Sequence, residues 1–306
     1  MILTVTLNTA LDVTHRVPRL IPHTSHRAAA VAERPGGKGL NVARVLAALG
    51  HPVTATGFAG GRTGAAVREL LAADAPGVTD ALVPCAGPTR RTLAVVDETS
   101  GDTTQFNEPG PAIGSAEWAQ FLDRYRELVV GADAVALCGS LPPGVPVGAY
   151  AVLVRTARAA GAPVLLDTSG EALRRGIAAR PELVKPNAAE LAELTGSREP
   201  LQATRGARRR GAHAVVASLG PDGLLAATAE GAWQAAPPEA LAGNPTGAGD
   251  SAVAGLLSGL VEGLGWPDRL VRAVALSAAT VCSPAAGEFD PRTYERVRGS
   301  VKVTQR

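Results

Sequence analysis

The chain alternates between short apolar runs and longer stretches in which apolar residues recur every three or four positions. Residues 2–7, Ile-Leu-Thr-Val-Thr-Leu, read as a buried strand, and residues 6–12 as the loop at its carboxyl end. Residues 39–50 carry apolar side chains at helical spacing and close on a glycine suited to a C-cap. A strand at 53–58 and a helix at 64–73 follow. The rhythm resumes with helices near 115–130, 147–160, 188–195, 247–262 and 267–282, interleaved with strands near 134–138, 163–167, 183–185 and 213–218. A βαβ succession of this kind predicts an α/β fold: a mainly parallel sheet, helices on both faces, and a site at the carboxyl ends of the strands.

Two regions break the succession. Residues 13–33 and 90–108 read as short strands separated by turns, with Thr-Ser-Gly-Asp at 99–102 as a hairpin turn. They suit a small β-lid inserted into the α/β body; a pair of ordinary surface hairpins is the plainer alternative. A lid excludes water from a reacting group.

Composition narrows the field. With 306 residues, 46% of them hydrophobic, the chain buries a full core and fits one large α/β domain spanning 1–306 or two smaller ones. A net charge of +2 and 3% aromatic residues argue against a nucleic-acid surface. The basic run at 205–210 reads as a solvated helix face. Cys85, Cys138 and Cys282 lie too far apart for a zinc motif or a disulfide framework, which favours a reducing cytoplasm. The N-terminus lacks a signal-peptide pattern and no apolar run reaches membrane length, so no membrane partner is expected. Of the 30 basic residues only Lys38, Lys185 and Lys302 are lysines. In so arginine-biased a chain, Lys38 in Gly-Gly-Lys-Gly and Lys185 in Lys-Pro-Asn mark places where a compact, rotatable ammonium is needed.

The chemistry concentrates at 244–251, Asn-Pro-Thr-Gly-Ala-Gly-Asp-Ser, which runs into a small-residue helix. Gly247 and Gly249 lack the Cβ that would keep a ligand off the backbone, so the amides of Gly247, Ala248 and Gly249 can face one anion at a helix's positive end. Asp250 beside them can take a proton. An anion cradle next to a base is what transfer of a phosphoryl group to a hydroxyl requires, although a glycine turn with an N-capping Asp has the same residues. The P-loop and dinucleotide fingerprints fail: Gly-Gly-Lys-Gly at 36–39 and the glycines at 57–64 lack their spacings.

Pro-Gly-Gly-Lys-Gly-Leu-Asn-Val-Ala-Arg at 35–44, paired with Pro-Thr-Gly-Ala-Gly-Asp-Ser at 245–251, resembles the two signatures of the ribokinase-like, or phosphofructokinase-B, carbohydrate kinases. The likeness runs on through Gly-Ser-Leu-Pro-Pro-Gly at 139–144, Lys-Pro-Asn-Ala-Ala-Glu at 185–190 and Ser-Leu-Gly-Pro-Asp-Gly at 218–223. It is strongest to the branch that phosphorylates ketohexose phosphates, fructose 1-phosphate or tagatose 6-phosphate. The resemblance implies a three-layer αβα sandwich with a β-lid, ATP and Mg²⁺ as cofactors, and a homodimer formed through the lid.

The resemblance also implies roles. Asp250 is the base; Gly247, Ala248 and Gly249 hold the transferring charge. Asp12, Gly37, Gly39 and Asn41 match positions that bind sugar hydroxyls, Asp12 also suiting a turn cap. Lys38, Ser140 and Arg90 match groups that hold the substrate's phosphate, with Arg91 a competitor of Arg90. Lys185 and Asn187 match contacts to ATP phosphates, Ser218, Gly220 and Gly223 the turn bordering the nucleotide, and 278–287 the segment near adenine. Asn187 and Glu190 match a pair that organises Mg²⁺ largely through water, and they equally fit a capping box. Asn244 stands where many relatives have an Asp linked to a monovalent cation, and Thr9 where they have proline.

Overall fold

The computed structural model describes residues 1–238, 241, 243–283 and 285–306. In chain order the elements are β1 (Ile2–Thr6), β2 (Ala10–Val17), β3 (Ala30–Gly36), α1 (Lys38–Ala48), β4 (Val53–Ala59), α2 (Gly61–Asp74), β5 (Val78–Asp80), β6 (Val83–Pro84), β7 (Arg90–Asp97) and β8 (Thr103–Asn107). They continue as α3 (Ser115–Val129), β9 (Ala134–Cys138), α4 (Ala149–Ala159), β10 (Val164–Asp167), α5 (Gly170–Ala178), β11 (Leu183–Val184), α6 (Ala188–Thr195), α7 (Pro200–Arg209) and β12 (Ala214–Ser218). The last are β13 (Leu224–Ala227), β14 (Ala232–Ala236), α8 (Ala248–Val261), α9 (Trp266–Val281), α10 (Pro291–Arg298) and β15 (Lys302–Gln305).

Among the described residues the strands form two sheets. The large one runs β15-β14-β13-β12-β11-β10-β9-β1-β4-β5, with β6 against β4, parallel from β12 to β5 and antiparallel beyond β12. Its central strands, from β4 through β13, are buried on both faces, and side chains split by parity. Ala134, Ala136 and Cys138 of β9 join a core with α1, α2, α8, α9 and α10, whereas Val135 and Leu137 join one with α3 to α7. The result is the αβα sandwich. The small residues of β9 face α8, whose Gly255 lets α9 approach so closely that a Cβ there would lie 2.7 Å from Ala273 Cα.

The second sheet, β3-β2-β7-β8, covers the carboxyl edge of the first. The two regions read as short strands thus come together in one small four-stranded sheet rather than as separate surface hairpins. Its centre differs from two hairpins: β2 and β7 pair in parallel, register Ala10 to Arg90, because the body of the chain intervenes between them. The strand β2 begins at Ala10, which places Asp12 inside a strand rather than in a loop and removes its reading as a turn cap. The antiparallel extension β13-β14-β15 and the short amphipathic helices α5 and α10 lie outside the sequence expectations. Leu-Leu-Ala-Ala and Ala-Trp-Gln-Ala-Ala have no β-branched residues, and they become strands in succession, β13 by pairing with β12 and β14 by pairing with β13.

Candidate active site

The expected site residues gather along the carboxyl edge of adjacent strands. Ser140 follows β9, Lys185 and Asn187 follow β11, and Ser218 closes β12, with Asn187 bridged to Ser218. Two helix starts point into the same region: α1, opened by Gly37, and α8, opened by Gly247.

Gly37 has φ +104° and a Cβ on it would lie 2.7 Å from Thr6 Cγ2. Gly39 lies so close to β1 that a Cβ would come within 2.4 Å of Thr6 Oγ1. Both glycines therefore let α1 start against β1. That seats Lys38 and Asn41 over the sheet edge. Asn41 Nδ2 donates to Asp250 Oδ2 at 2.8 Å, so the expected sugar ligand touches the expected base.

Asp250 occupies the first turn of α8 and is 6% exposed. It does not accept a capping bond, because Gly247 in the left-handed region, φ +83°, is the N-cap. Burial pushes the Asp250 carboxyl up to about 6; Lys38 opposes this, the Asp167 carboxylate adds to it, and the Asn41 bond and Lys185 oppose it. The Ala248 N–H donates to the Pro245 carbonyl at 3.1 Å, which fixes the turn, while the amides of Gly247 and Gly249 have no backbone acceptor among the described residues. A Cβ on Gly249 would lie 3.5 Å from Lys185 Nζ, so the glycine brings the buried ammonium of Lys185 close to the helix start.

Asp167, absent from the sequence expectations, sits at the centre. It ends β10, is 1% exposed, and pairs with Lys38 Nζ at 3.1 Å through Oδ1 and with Lys185 Nζ at 3.6 Å through Oδ2. The two lysines singled out by their rarity thus converge on one carboxylate. Burial disfavours the Lys38 ammonium, but Asp167 and Asp250 outweigh it and raise its pKa. The signal that would have found Asp167 is a lone carboxylate closing an apolar run at a strand's carboxyl end. Buried Asp167 Oδ2, Asn41 Oδ1, Asn8 Oδ1 and Thr6 Oγ1 lack hydrogen-bond partners, an arrangement that fits a site awaiting a polar ligand.

Two cavities open here. One of about 710 Å³ is lined by Asn8, Arg90, Asn107, Glu108, Ser140 and neighbouring prolines beneath the lid. Arg90 Nε donates to the Asn8 carbonyl at 3.2 Å, and Asn8 Nδ2 donates to Ser140 Oγ at 3.1 Å. Arg91 is 61% exposed, pairs with Glu108 and, unlike Arg90, does not line this cavity. Lys38 comes up beside this cavity rather than lining it: a Cβ on Gly139 would lie 3.9 Å from Lys38 Cβ. Thr9 donates its hydroxyl to the Phe58 carbonyl, pinning the loop that carries Asn8. Asp12 lies further under the lid, accepting a hydrogen bond from Thr92 in a cleft of about 50 Å³ shared with Asn244 and Ala286. Burial raises its pKa against the opposing Thr92 bond and the charges of Arg90 and Arg44.

The other cavity, about 620 Å³, is lined by Asn187, Ser218, Gly220, Gly223, Ala248 and Gly249 with an apolar wall that includes Val274, Ala278 and Val281. It brings together Asn187, Ser218, Gly220 and Gly223 of the residues expected at the nucleotide, but not Lys185, and it includes Ala278 and Val281; Pro284 lies outside the described residues. Asn187 and Glu190 form a full capping box, Glu190 N–H to Asn187 Oδ1 and Asn187 N–H to Glu190 Oε2, both 2.9 Å. The remaining Glu190 oxygen accepts no hydrogen bond from the described residues, so a cap and a contact to a hydrated divalent cation are compatible. Among the described residues no group of three or more His, Cys, Asp or Glu side chains is placed to hold a metal.

Comparison with known proteins places this geometry. Residues 3–293 match the model of the pfkB family carbohydrate kinases. The chain is 40% identical over 296 residues to 1-phosphofructokinase of Rhodobacter capsulatus, covering 95% of this chain and 92% of that protein. It is 33% identical to phosphofructokinase-2 of Escherichia coli in its complex with fructose 6-phosphate, with a TM-score of 0.90 over 97% of this chain and 98% of that one. The same enzyme in complex with potassium gives a TM-score of 0.91 at 33% identity over the same shares. No helix among the described residues is long and apolar enough to cross a membrane.

Proposed function

Because the chain belongs to the pfkB family of carbohydrate kinases, we propose that it transfers the γ-phosphoryl group of ATP to the 6-hydroxyl of fructose 1-phosphate, forming fructose 1,6-bisphosphate. The observation that carries this reading is Asp250, a buried carboxylate on the first turn of α8 that feels the charges of Lys38 and Lys185, both of which pair with Asp167. Asp250 accepts the hydroxyl proton as the oxygen attacks phosphorus, and Asn41 holds the carboxylate in line for that transfer. The free amides of Gly247 and Gly249, with the α8 dipole, stabilise charge on the transferring group. Ala248 serves by fixing the turn. Lys38, Arg90 and Ser140 hold the sugar's own phosphate, and Asp12 and Asn41 its hydroxyls. Lys185 meets the ATP phosphates. Asn187 and Glu190 would hold Mg²⁺ largely through water, and that ion, when bound, neutralises phosphate charge.

The lid's edge strands β3 and β8 expose Val31 and Phe106, at 57% and 59%, and suit pairing with a second copy in a homodimer. Three separated free cysteines suit a cytoplasmic protein.

The test is ADP release with ATP and Mg²⁺ against fructose 1-phosphate, tagatose 6-phosphate, fructose 6-phosphate and free fructose, compared as kcat/KM. Fructose 1-phosphate is expected to rank first. A lead for tagatose 6-phosphate reverses the sugar in the same cavity, since the phosphate-bearing end and the attacking end exchange. A preference for free fructose removes Lys38 and Arg90 from phosphate recognition, and ligand binding without ADP release would make the protein a sensor.

A further inference from the structure

Arg44 stands three residues after Asn41 on α1, so the two side chains share a face of the helix. Its side chain is 4% exposed, a state arginine adopts only when its donors are satisfied. Nη1 donates to the Ala286 carbonyl at 2.9 Å and Nη2 to Glu288 Oε1 at 2.7 Å. These bonds, from a planar and permanently charged fork, hold residues 286–288 at a fixed distance from α1. The fit is close: a Cβ on Gly287, φ +75°, would lie 2.8 Å from Arg44 Nη1 and 3.1 Å from Asn41 Oδ1.

The other side of this segment touches the start of α8. A Cβ on Gly247 would lie 2.7 Å from Ala286 Cβ and 2.8 Å from Ala286 Cα. Two routes therefore leave one face of α1 for the same helix start: Asn41 to Asp250, and Arg44 through Ala286 to Gly247. Glu288 ties in the lid as well, since its Oε1 lies 3.4 Å from Arg34 Nε on β3. Arg44 lines none of the cavities described above.

We propose that Arg44 is a positioning residue, which seats residues 286–288 against Gly247 and so fixes the amides that hold the transferring phosphoryl group. The proposal rests on the reading of the Gly247–Asp250 turn as the anion site. It predicts an effect on the transition state with little effect on ground-state binding.

Two variants test it. Arg44→Lys keeps the charge and loses the two-pronged grip; Glu288→Ala removes one arm at a partly exposed position. Each is compared with the wild type for kcat, for KM toward ATP and fructose 1-phosphate, and for calorimetric affinity toward ADP with aluminium fluoride, a mimic of the transferring phosphoryl group, in the presence of the sugar phosphate. The expected result for Arg44→Lys is a kcat lower by about 10- to 100-fold, KM values within about twofold of wild type, and weaker binding of the mimic by the same factor as kcat. Glu288→Ala is expected to show the same pattern at smaller amplitude, and it decides the matter alone if Arg44→Lys does not fold. Wild-type affinity for the mimic in the folded variants overturns the proposal. So does a loss spread equally over ATP, sugar and mimic, the mark of a merely structural role. If the wild type itself gains no affinity from aluminium fluoride over ADP, the anion-site reading fails first, and the two failures are told apart.

Discussion

The two large cavities at the carboxyl edge of the sheet are built from different materials. The cavity proposed for the nucleotide is walled mainly by glycine, proline, alanine, leucine and valine, with Asn187, Ser218 and Ser277 as its polar side chains. The cavity proposed for the sugar phosphate sets Asn8, Arg90, Asn107, Glu108 and Ser140 among leucine, proline, glycine and valine. On the proposed reading the first recognises by shape and backbone, the second by charge and hydrogen bonds. A nucleotide offers a flat apolar base, and its phosphates can be met by main-chain amides and one ammonium. A small sugar phosphate offers only hydroxyls and charge, so its selection needs side chains that leave an unmet partner when the wrong ligand enters. Between the cavities Lys38 and Lys185 meet on Asp167, so the two sides share an electrostatic centre.

The largest expected effect comes from removing the group that both sides serve. Asp250→Asn should lower kcat by about 10²- to 10⁴-fold while ATP and sugar phosphate still bind in calorimetry. The same variant carries a stability signature of opposite sign. Burial raises the Asp250 pKa from the ordinary 3.8 to about 6, so its ionised form is disfavoured in the folded protein. Below about pH 4 the group is protonated in both states and contributes no penalty; as pH rises through 6 the native state loses stability relative to the unfolded one. At pH 7.5 the penalty is about 3 kcal/mol. Asp250→Asn should therefore be more resistant to denaturant than wild type at pH 7.5, with the gap closing near pH 4. Equal curves at both pH values would contradict the burial of a charged base.

A smaller effect should fall on one cavity alone. Lys38→Met is expected to raise KM for the sugar phosphate by about 10- to 100-fold, the cost of a lost charge-assisted bond, with KM for ATP changed far less. Because Lys38 holds the Asp250 pKa down, its loss should also move the acid limb of the kcat profile to higher pH. A KM rise shared equally by ATP would mean that Lys38 acts through Asp167 on both sides rather than on the sugar.

How much of this was legible follows from the length scale of each signal. The turn at 244–251 and α8 are local in sequence: the expected helix at 247–262 appears as Ala248–Val261, and its glycines and Asp250 fall where the motif placed them. The lid was legible as a break in the rhythm, but its parallel β2 to β7 pairing joins residues some eighty positions apart and has no local trace. Asp167 was missed for the same reason. Its partners Lys38 and Lys185 come from α1 and from the loop after β11, and only the sheet brings them together. The rarity of lysine pointed to two of the three members of this cluster. Arg44 was visible only as part of a motif, since burial of its guanidinium depends on residues 286–288 near the other end of the chain. The strands β13 and β14 were illegible because alanine-rich segments acquire strand character from their neighbours.

The smallest expected effect separates two readings of one pair on the nucleotide side. Asn187 and Glu190 cap α6 reciprocally, and glutamine completes such a box as well as glutamate does. Glu190→Gln should therefore leave the helix start and the thermal midpoint essentially unchanged. What it removes is charge, and a hard, strongly hydrated cation is the ligand that would notice. The concentration of Mg²⁺ needed for half-maximal rate is expected to rise by up to about tenfold, with KM for fructose 1-phosphate unaffected. A titration of rate against Mg²⁺ at saturating ATP and sugar checks this. If the metal requirement is unaltered, the pair is a helix cap alone; if the midpoint falls with the metal requirement, the substitution has disturbed the fold of α6. Only a shift in metal dependence at constant stability joins this pair to the catalytic machinery, and it would leave the charged sugar cavity untouched.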